Sequence, residues 1–241
     1  AALRLTQERV RYIAMLLGDG AYRPAGADET WEARYGDCKA KSAMLLALLD
    51  RLGIKADAMY VNATTGHAIA DRLPSFETFD HVIVNTTIDG KSYYLDATSY
   101  GHRVASDVAG SDLHFGLPIK TGATLEKLPH LVASEPTIDS ELVWDGTKAL
   151  TGEVAFKARL TFRGPMAILA RSKKASAEKT SDFEDFLKDY LRGVDSDKLV
   201  IASQNDDAET GQYVAQFTGT ADMGWDEYED RKGVRFPFSN Q

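Results

Sequence analysis

The sequence of 241 residues predicts an α+β protein of two domains, each built around an antiparallel sheet. Three patterns lead to this prediction. A leucine-rich helical segment follows Asp37, and two β-like runs flank the turn-forming pair Asp89-Gly90. Residues 154–162 alternate between apolar and polar side chains, and two helical segments and two β-like segments come after them.

The chain is predicted to begin with a short amphipathic helix. Apolar residues recur at roughly helical spacing at Leu5, Val10, Ile13, Leu16 and Leu17. The glycines of Gly18-Asp19-Gly20 then end the predicted helix. The helical pattern begins within the first few residues, and the sequence ends three residues after Phe238. We therefore expect further domains of the parent chain on both sides.

The strongest helical segment runs from Cys38 to Leu52. Asp37 suits the N-cap of this helix, and Gly53 suits its C-terminal end. Leucines form a broad apolar arc at positions 45, 46, 48, 49 and 52. An arc of this width is typical of a helix that is covered on most sides, so we expect a central helix with Cys38 in its first turn.

A short strand at 58–61 and a hairpin are predicted next. With Asp89 and Gly90 as the two loop residues, Ile83 lies opposite Asp96, and His81 becomes a diagonal neighbour of Asp96 on the same face. That separation allows a carboxylate to reach an imidazole N–H. The opposite face is the expected core side and carries Val82, Val84, Ile88, Tyr93 and Leu95.

The second half of the chain predicts a smaller α+β module. A half-buried strand at 154–162 ends at Gly164, and Pro165 suits the first position of a helix through about Lys174. A second helix and two strands follow at Ser181–Leu191, Leu199–Ser203 and Gln212–Thr220. With one further strand ahead of residue 154, the module is predicted to be ordered strand, strand, helix, helix, strand, strand. Loop-forming residues place the boundary between about 122 and 136, which gives predicted domains at 1–125 and 126–241.

Composition excludes several classes of protein. A hydrophobic content of 44% is too high for a disordered chain. The single cysteine, Cys38, can form neither an internal disulfide nor a thiolate zinc cage, and the chain has no metal-binding motif, so we expect neither a metal nor a cofactor. The formal net charge of -8 argues against binding to nucleic acid. Apolar stretches are too short to span a membrane.

Cys38, His81 and Asp96 together suggest covalent chemistry. A cysteine in the first turn of a helix lies at the positive end of the helix dipole, which stabilises the nucleophilic thiolate. If the hairpin packs against that helix end, the order becomes nucleophile, base and orienting carboxylate. In acyl transfer, Cys38 attacks a carbonyl, His81 moves the proton and Asp96 holds the imidazole in the productive tautomer.

Three local sequences carry a resemblance to a known family. Residues 35–41 (YGDCKAK), 79–84 (FDHVIV) and 94–99 (YLDATS) contain Cys38, His81 and Asp96 in that order. These contexts resemble the transglutaminase-like superfamily, and look most like a bacterial branch in which a papain-like core is flanked by β-rich domains of unassigned function. The resemblance covers roughly residues 5–125. It is looser after residue 136.

The resemblance implies a central helix packed on an antiparallel sheet and a Cys-His-Asp triad. Members include transglutaminases, amidases and peptidases that act through a thioester, so it implies a carboxamide or peptide carbonyl in a peptide or protein substrate. It also suggests a periplasmic or cell-surface location in a bacterium. An oxyanion site would combine the Cys38 backbone N–H with one side-chain donor, for which Trp31 is the candidate.

Other interpretations stay open at this level. The triad could be idle, in which case the core is a peptide- or glycan-binding or scaffolding module. A lone cysteine near a helix start is more often an inert thiol than a nucleophile. His67, in a loop rich in Thr and Gly, is the rival base. Three tyrosines near Asp96 either line a peptide groove or pack in the core, namely Tyr93, Tyr94 and Tyr100.

Overall fold

The computed structural model describes residues 1–15, 20, 22–108, 113–130, 135–147, 152–191 and 198–222, and the backbone of 226–227 and 234–235. The chain divides into two compact units, Ala1–Ala133 and Ser134–Gln241. Both units combine helices with antiparallel sheets, so the protein belongs to the α+β class. The division follows Ala133, which lies within the predicted boundary range of about 122–136 but after the predicted end of the first domain at residue 125.

The first unit consists of short helices and strands around one long helix. Its helices are α1 (Ala2–Arg9), α2 (Ala27–Ala33) and α3 (Cys38–Arg51). Its strands are β1 (Arg11–Tyr12), β2 (Tyr35–Gly36), β3 (Ala56–Val61), β4 (His81–Ile88), β5 (Lys91–Leu95), β6 (Phe115–Pro118) and β7 (Glu126–Lys127). Turns of 3₁₀-helix occupy Gly66–Asp71, Phe76–Thr78 and Ala105–Val108.

The predicted first helix is wrong beyond Arg9. Val10 has extended backbone angles, φ -123° and ψ 113°, and β1 pairs in parallel with β2, so that Tyr12 lies beside Gly36. The N–H of Ile13 donates to the Gly36 carbonyl at 3.0 Å. Pairing with β2 therefore overrides the helical spacing of the apolar residues. The predicted helix positions Leu16 and Leu17 lie outside the described residues, as do Gly18 and Asp19.

The main sheet of the first unit has the strand order β5-β4-β3-β6-β7, and every neighbouring pair is antiparallel. The hairpin register is confirmed, because Ile88 pairs with Lys91 and Val84 with Leu95. Both loop residues have positive φ, 51° at Asp89 and 77° at Gly90. A two-residue turn of this kind matches the right-handed twist of the strands.

Apolar residues cover both faces of this sheet. Val84 and Leu95 pack with Leu45 and Leu49 of α3 on one face. Ile83, which alternates with Val84 and is 1% exposed, packs on the opposite face in a cluster with Met59, Val61 and Leu128. The expected core side is confirmed at Val82, Val84 and Leu95, which are buried, but the face that carries Ile83 is packed as well. Tyr93 packs against the first cluster and Tyr94 against the second.

The second unit has a four-stranded antiparallel sheet of order β10-β11-β9-β8. Its elements are β8 (Ile138–Asp145), β9 (Glu153–Phe162), α4 (Gly164–Ser176), α5 (Thr180–Lys188), β10 (Leu199–Asp206) and β11 (Tyr213–Asp222). A further short pair is β12 (Asp226–Glu227) with β13 (Val234–Arg235). Alternate residues of β9 are buried with the apolar side of α5, which includes Phe183 and Leu187.

Candidate active site

The N-terminus of α3 presents Cys38. Asp37 is the N-cap residue, and its Oδ1 accepts the backbone N–H of Ala40 at 2.9 Å. The Lys39 ammonium donates to the other carboxylate oxygen of Asp37. Asp37 is buried, whereas the free thiol of Cys38 is half-buried. The cap thus holds the first turn in place and leaves the thiol partly accessible to a reagent.

Gly36 allows β2 to pack closely against the start of α3. A Cβ at this position would lie 3.0 Å from the Cβ of Ala40 and 3.1 Å from Cγ2 of Thr30. Further along α3, the Ser42 hydroxyl donates to the Val82 carbonyl at 3.2 Å. Because Val82 follows His81 on β4, this bond ties the helix to the strand that carries the imidazole. The two contacts hold the first half of α3 against β2 and β4.

His81 reaches the predicted carboxylate. It is the first residue of β4, where it pairs with Val61, and its Nε2 lies 3.1 Å from Oδ2 of Asp96. Thr98 holds Oδ1 of Asp96 through its backbone N–H at 2.8 Å and its hydroxyl at 2.7 Å. The Ser99 hydroxyl donates to Oδ2 at 3.0 Å. The carboxylate is therefore fixed by the residues that follow it in the chain.

Gln7 of α1 supports the segment that carries Asp96. Its Nε2 donates to the Asp96 backbone carbonyl at 2.8 Å and lies 2.8 Å from Nδ1 of His102. Gln7 is buried, and its Oε1 has no hydrogen-bond partner among the described residues. Nothing in the sequence pattern indicates this contact, because Gln7 is separated from Asp96 by most of the unit.

The thiol and the imidazole line the same cleft. Interaction with the Cys38 side chain also helps to raise the pKa of His81. Since Nε2 of His81 faces Asp96, Nδ1 is the nitrogen left for the thiol. The structure thus brings Cys38, His81 and Asp96 together in the predicted order. This arrangement can hold a thiolate and an imidazolium as an ion pair.

The electrostatics favour the charged form of the imidazole. Burial opposes protonation of His81, but the hydrogen bonds to Asp96 and Cys38 and the negative charges of both groups outweigh it and raise its pKa from 6.5 to about 10. Burial raises the pKa of the Asp96 carboxyl. The hydrogen bond and the attraction to His81 outweigh this effect, together with the hydrogen bonds from Thr98, and hold that pKa below its ordinary value. The His81 imidazole is therefore protonated at neutral pH in the free protein and can donate a proton.

Tyr12 is a member of the site that the sequence analysis missed. A cleft of about 310 Å³ is lined by Cys38, His81, Tyr12 and neighbouring residues. Partial burial raises the pKa of the Tyr12 phenol, and the negative charges of Cys38, Asp37 and Asp96 raise it further. The sequence pattern predicts a helix at Tyr12, and this prediction gave no sign that Tyr12 lines the cleft. Its pairing with Gly36 places it beside the segment that leads into Cys38.

Trp31 has a different environment from the one predicted. The Arg34 guanidinium carbon lies 3.4 Å from the centroid of the Trp31 ring. Trp31 is not found among the described residues that line the Cys38 cleft. Its assignment as the oxyanion donor stays a prediction. Tyr12, Tyr22 and Tyr60 line that cleft and carry an O–H, and the negative charge of Cys38 acts on the Tyr12 phenol.

Lys41 lies one helical turn after Cys38 and is 1% exposed. Its ammonium donates to the carbonyl of Val10, the residue before β1. Burial lowers the pKa of Lys41 from 10.5 to about 8, against the opposing attraction of the Asp96 carboxylate. Lys41 therefore links α3 to the strand that carries Tyr12.

The remaining histidines lie elsewhere in the first unit. The ring centroid of His114 is 5.9 Å from that of His67 and 6.4 Å from that of His130. His67, the rival base, does not line the Cys38 cleft in the described part of the chain. Within the described residues, no group of three or more His, Cys, Asp or Glu residues could hold a metal ion. Every helix in that part of the chain is too short or too polar to cross a bilayer.

Comparisons with known proteins give no family assignment. No protein-family model matches this chain, and neither the curated proteins nor the solved structures contain a match to it. A function for this chain is therefore inferred from the residues and geometry of the site.

Proposed function

We propose that the first unit is a cysteine-dependent acyl-transfer enzyme with a papain-like core of the transglutaminase type. One observation carries this proposal: His81 lies 3.1 Å from the Asp96 carboxylate and lines the same cleft as the Cys38 thiol. α3 packed on an antiparallel sheet, with its N-terminus at the cleft, supports the same interpretation. The substrate class is a carboxamide or peptide carbonyl in a peptide or protein.

The first half-reaction forms a thioester. The Cys38 thiolate attacks the carbonyl carbon, and the electrons of the C=O double bond move onto its oxygen. When the oxyanion collapses, the C–N bond breaks and the leaving nitrogen takes the proton from the His81 imidazolium. Ammonia leaves from a carboxamide, or an amine leaves from a peptide bond, and Cys38 keeps the acyl group.

The second half-reaction restores the free enzyme. Neutral His81 accepts a proton from water or from an acceptor amine, whose oxygen or nitrogen attacks the thioester carbonyl. The C–S bond breaks, the thiolate of Cys38 leaves, and the imidazolium and thiolate pair forms again. Asp96 keeps the imidazole oriented in both steps. Water as acceptor gives an acid, whereas an amine gives a new amide.

Two donors are available for the oxyanion. The N–H groups in the first turn of a helix have no intrahelical acceptor, so the backbone N–H of Cys38 can point to a developing negative charge. The Tyr12 hydroxyl is the side-chain donor in this proposal, since it lines the same cleft and is affected by the charge on Cys38. The raised pKa keeps the phenol protonated and able to donate.

Labelling of Cys38 by iodoacetamide tests the activated thiol. We expect a second-order rate at pH 7 well above that of a free cysteine peptide, and a large decrease after His81→Ala. His67→Ala, which removes a histidine outside the Cys38 cleft, is the matched control and should leave the rate unchanged. Equal rates in the unmodified protein and His81→Ala would overturn the proposal and favour a peptide- or glycan-binding module with an idle triad.

A second measurement separates the three reaction types. A glutamine-containing peptide is incubated with the protein, with and without a primary amine, and the masses of the products are measured by mass spectrometry. Deamidation without amine indicates an amidase, a new amide indicates a transferase, and chain cleavage indicates a peptidase. The periplasmic or cell-surface location stays a prediction from the sequence resemblance.

A further inference from the structure

A second groove adjoins the Cys38 cleft. It has a volume of about 690 Å³ and is lined by residues from β3, β6 and the loops around 69–79 and 123–125. Tyr60 and Phe79 line both this groove and the Cys38 cleft. The two concave surfaces therefore share a wall within the first unit. We call the second one the apolar groove.

The wall between the cleft and the groove is aromatic and stands next to the base. The ring centroids of Tyr60 and Phe79 are 5.8 Å apart. Phe79 is two residues before His81, and Tyr60 pairs with Val82 on the neighbouring strand. A substrate group on this wall would therefore lie close to the reacting carbonyl.

The groove is apolar, and part of its rim is exposed to solvent. Ile69, Pro74, Leu117 and Leu125 contribute aliphatic surface, and Leu73 at the rim is 88% exposed. Exposed apolar surface that borders a cleft is typical of a binding site. Because the groove volume lies in the range of about 300–1,000 Å³ that is usual for ligand sites, it has room for a large side chain and part of a backbone.

We infer that the apolar groove binds a large apolar side chain, of the size of leucine or phenylalanine, next to the acyl-donor group of a polypeptide substrate. This inference rests on the proposed function. The choice of occupant follows from the wall that the groove shares with the Cys38 cleft, where the proposed chemistry acts on a carboxamide or peptide carbonyl. The groove then selects the substrate by a side chain that does not itself react.

Chloroacetyl dipeptide amides that differ in one residue test this inference. The electrophile is the same in each reagent, so differences in the rate of Cys38 alkylation report the side chain alone. Reagents with leucine or phenylalanine should react ~10-fold or more faster than those with serine or asparagine, in line with the discrimination of an apolar pocket. Chloroacetamide without a peptide serves as the reference reagent.

Substitutions at the exposed rim test whether the apolar groove causes the preference for reagents with leucine or phenylalanine. Leu73→Ser with Leu125→Ser should reduce it to about threefold or less, because the polar side chains remove the apolar contact. Both leucines are partly or fully exposed, so the double variant is expected to fold. Leu52→Ser, at a leucine that is 62% exposed and lies outside the groove, is the matched control and should keep the full preference.

The outcomes separate this inference from the proposed function. Fast reaction with chloroacetamide but equal rates for all peptidyl reagents would overturn the groove assignment alone. Chloroacetamide labelling as slow as that of a free cysteine peptide would overturn both. Light scattering tests the other occupant, a second copy of this chain: a concentration-dependent dimer that disappears in the Leu73→Ser and Leu125→Ser variant would also overturn the inference.

Discussion

Nε2 of His81 lies 3.1 Å from Oδ2 of Asp96. One residue begins β4 and the other directly follows β5, so their contact depends on the register of the hairpin between them. Asp89 and Gly90 set that register through their positive φ angles. A slip of one residue would turn Asp96 to the other face of the sheet and separate the pair.

The first prediction concerns Asp96→Asn. A neutral amide cannot stabilise the imidazolium as the carboxylate does, so the pKa of His81 should fall from about 10 towards its ordinary value of 6.5. The imidazolium then loses its proton at lower pH, and the ion pair with Cys38 persists over a narrower range. We expect acylation of Cys38 by p-nitrophenyl acetate to slow by ~10²–10⁴-fold at pH 7.

Asp80→Asn is the control for this prediction. It removes an equal charge from the residue before His81, but the Asp80 carboxylate accepts from the Ala63 N–H at 2.7 Å and the Thr64 hydroxyl at 3.0 Å. Acylation rates are measured from pH 5 to pH 10 for both variants. A similar loss in the two would show that general charge near the cleft, rather than the contact between Asp96 and His81, controls the rate.

The second prediction concerns the oxyanion donor. Acylation by p-nitrophenyl acetate passes through a tetrahedral oxyanion, whereas alkylation by iodoacetamide does not. Tyr12→Phe should therefore slow acylation by ~10²-fold, the usual effect of losing one oxyanion donor, and change alkylation by no more than about threefold. Trp31→Phe should leave both rates within about threefold, because the Trp31 ring packs against Arg34. A large loss of acylation in Trp31→Phe, with little change in Tyr12→Phe, would instead assign Trp31 as the oxyanion donor.

The third prediction is a pH dependence of stability that arises at Lys41. Its pKa is about 8 in the folded protein and 10.5 ordinarily, so between these values the unfolded chain binds more protons at this group. The contribution of Lys41 to stability should therefore increase as the pH rises from 8 to 10.5. The free energy of opening of α3, measured by hydrogen exchange, should favour the wild type over Lys41→Met increasingly across this range.

Lys55→Met controls for the loss of a positive charge, since Lys55 is exposed in the same unit. The difference between this variant and the wild type should be nearly constant from pH 8 to 10.5. A constant difference for Lys41→Met as well would contradict the buried position of the ammonium.

The fourth prediction concerns the packing of Gly36. In Gly36→Ala, the new methyl group meets the Cβ of Ala40 at 3.0 Å, so α3 must shift. We expect a loss of ~1–3 kcal/mol in the stability of the first unit, as for other overpacked sites, together with slower alkylation of Cys38. Gly26→Ala is the matched control, because a Cβ there has no neighbour within 4 Å among the described residues. Equal losses in the two variants would contradict the packing argument.

Much of the site could be predicted because its signals are local. Asp37 followed by the leucine-rich segment predicts α3 with Cys38 at its start, and the structure places the helix at Cys38–Arg51. The Asp89-Gly90 turn predicts the hairpin register, from which the proximity of His81 and Asp96 follows. Each of these inferences depends on residues that are close in the chain.

Contacts between distant segments escaped the sequence analysis. The parallel pairing of Tyr12 with Gly36 turned a predicted helical position into part of the cleft. In the same way, the amide of Gln7 reaches the backbone of Asp96, and the rings of His67 and His114 lie 5.9 Å apart. Periodicity along one segment cannot reveal these contacts, since each partner belongs to a different part of the fold.

The sequence by itself determined the α+β class, the helix that carries the only cysteine and the register that brings His81 to Asp96. Local backbone preferences, capping and turn chemistry are sufficient for these features. Only the tertiary structure decided that Tyr12 lines the Cys38 cleft, that Lys41 is buried against Val10 and that an apolar groove adjoins the cleft. These features depend on which segments pack together, and burial and electrostatics change a side chain only after that packing has formed.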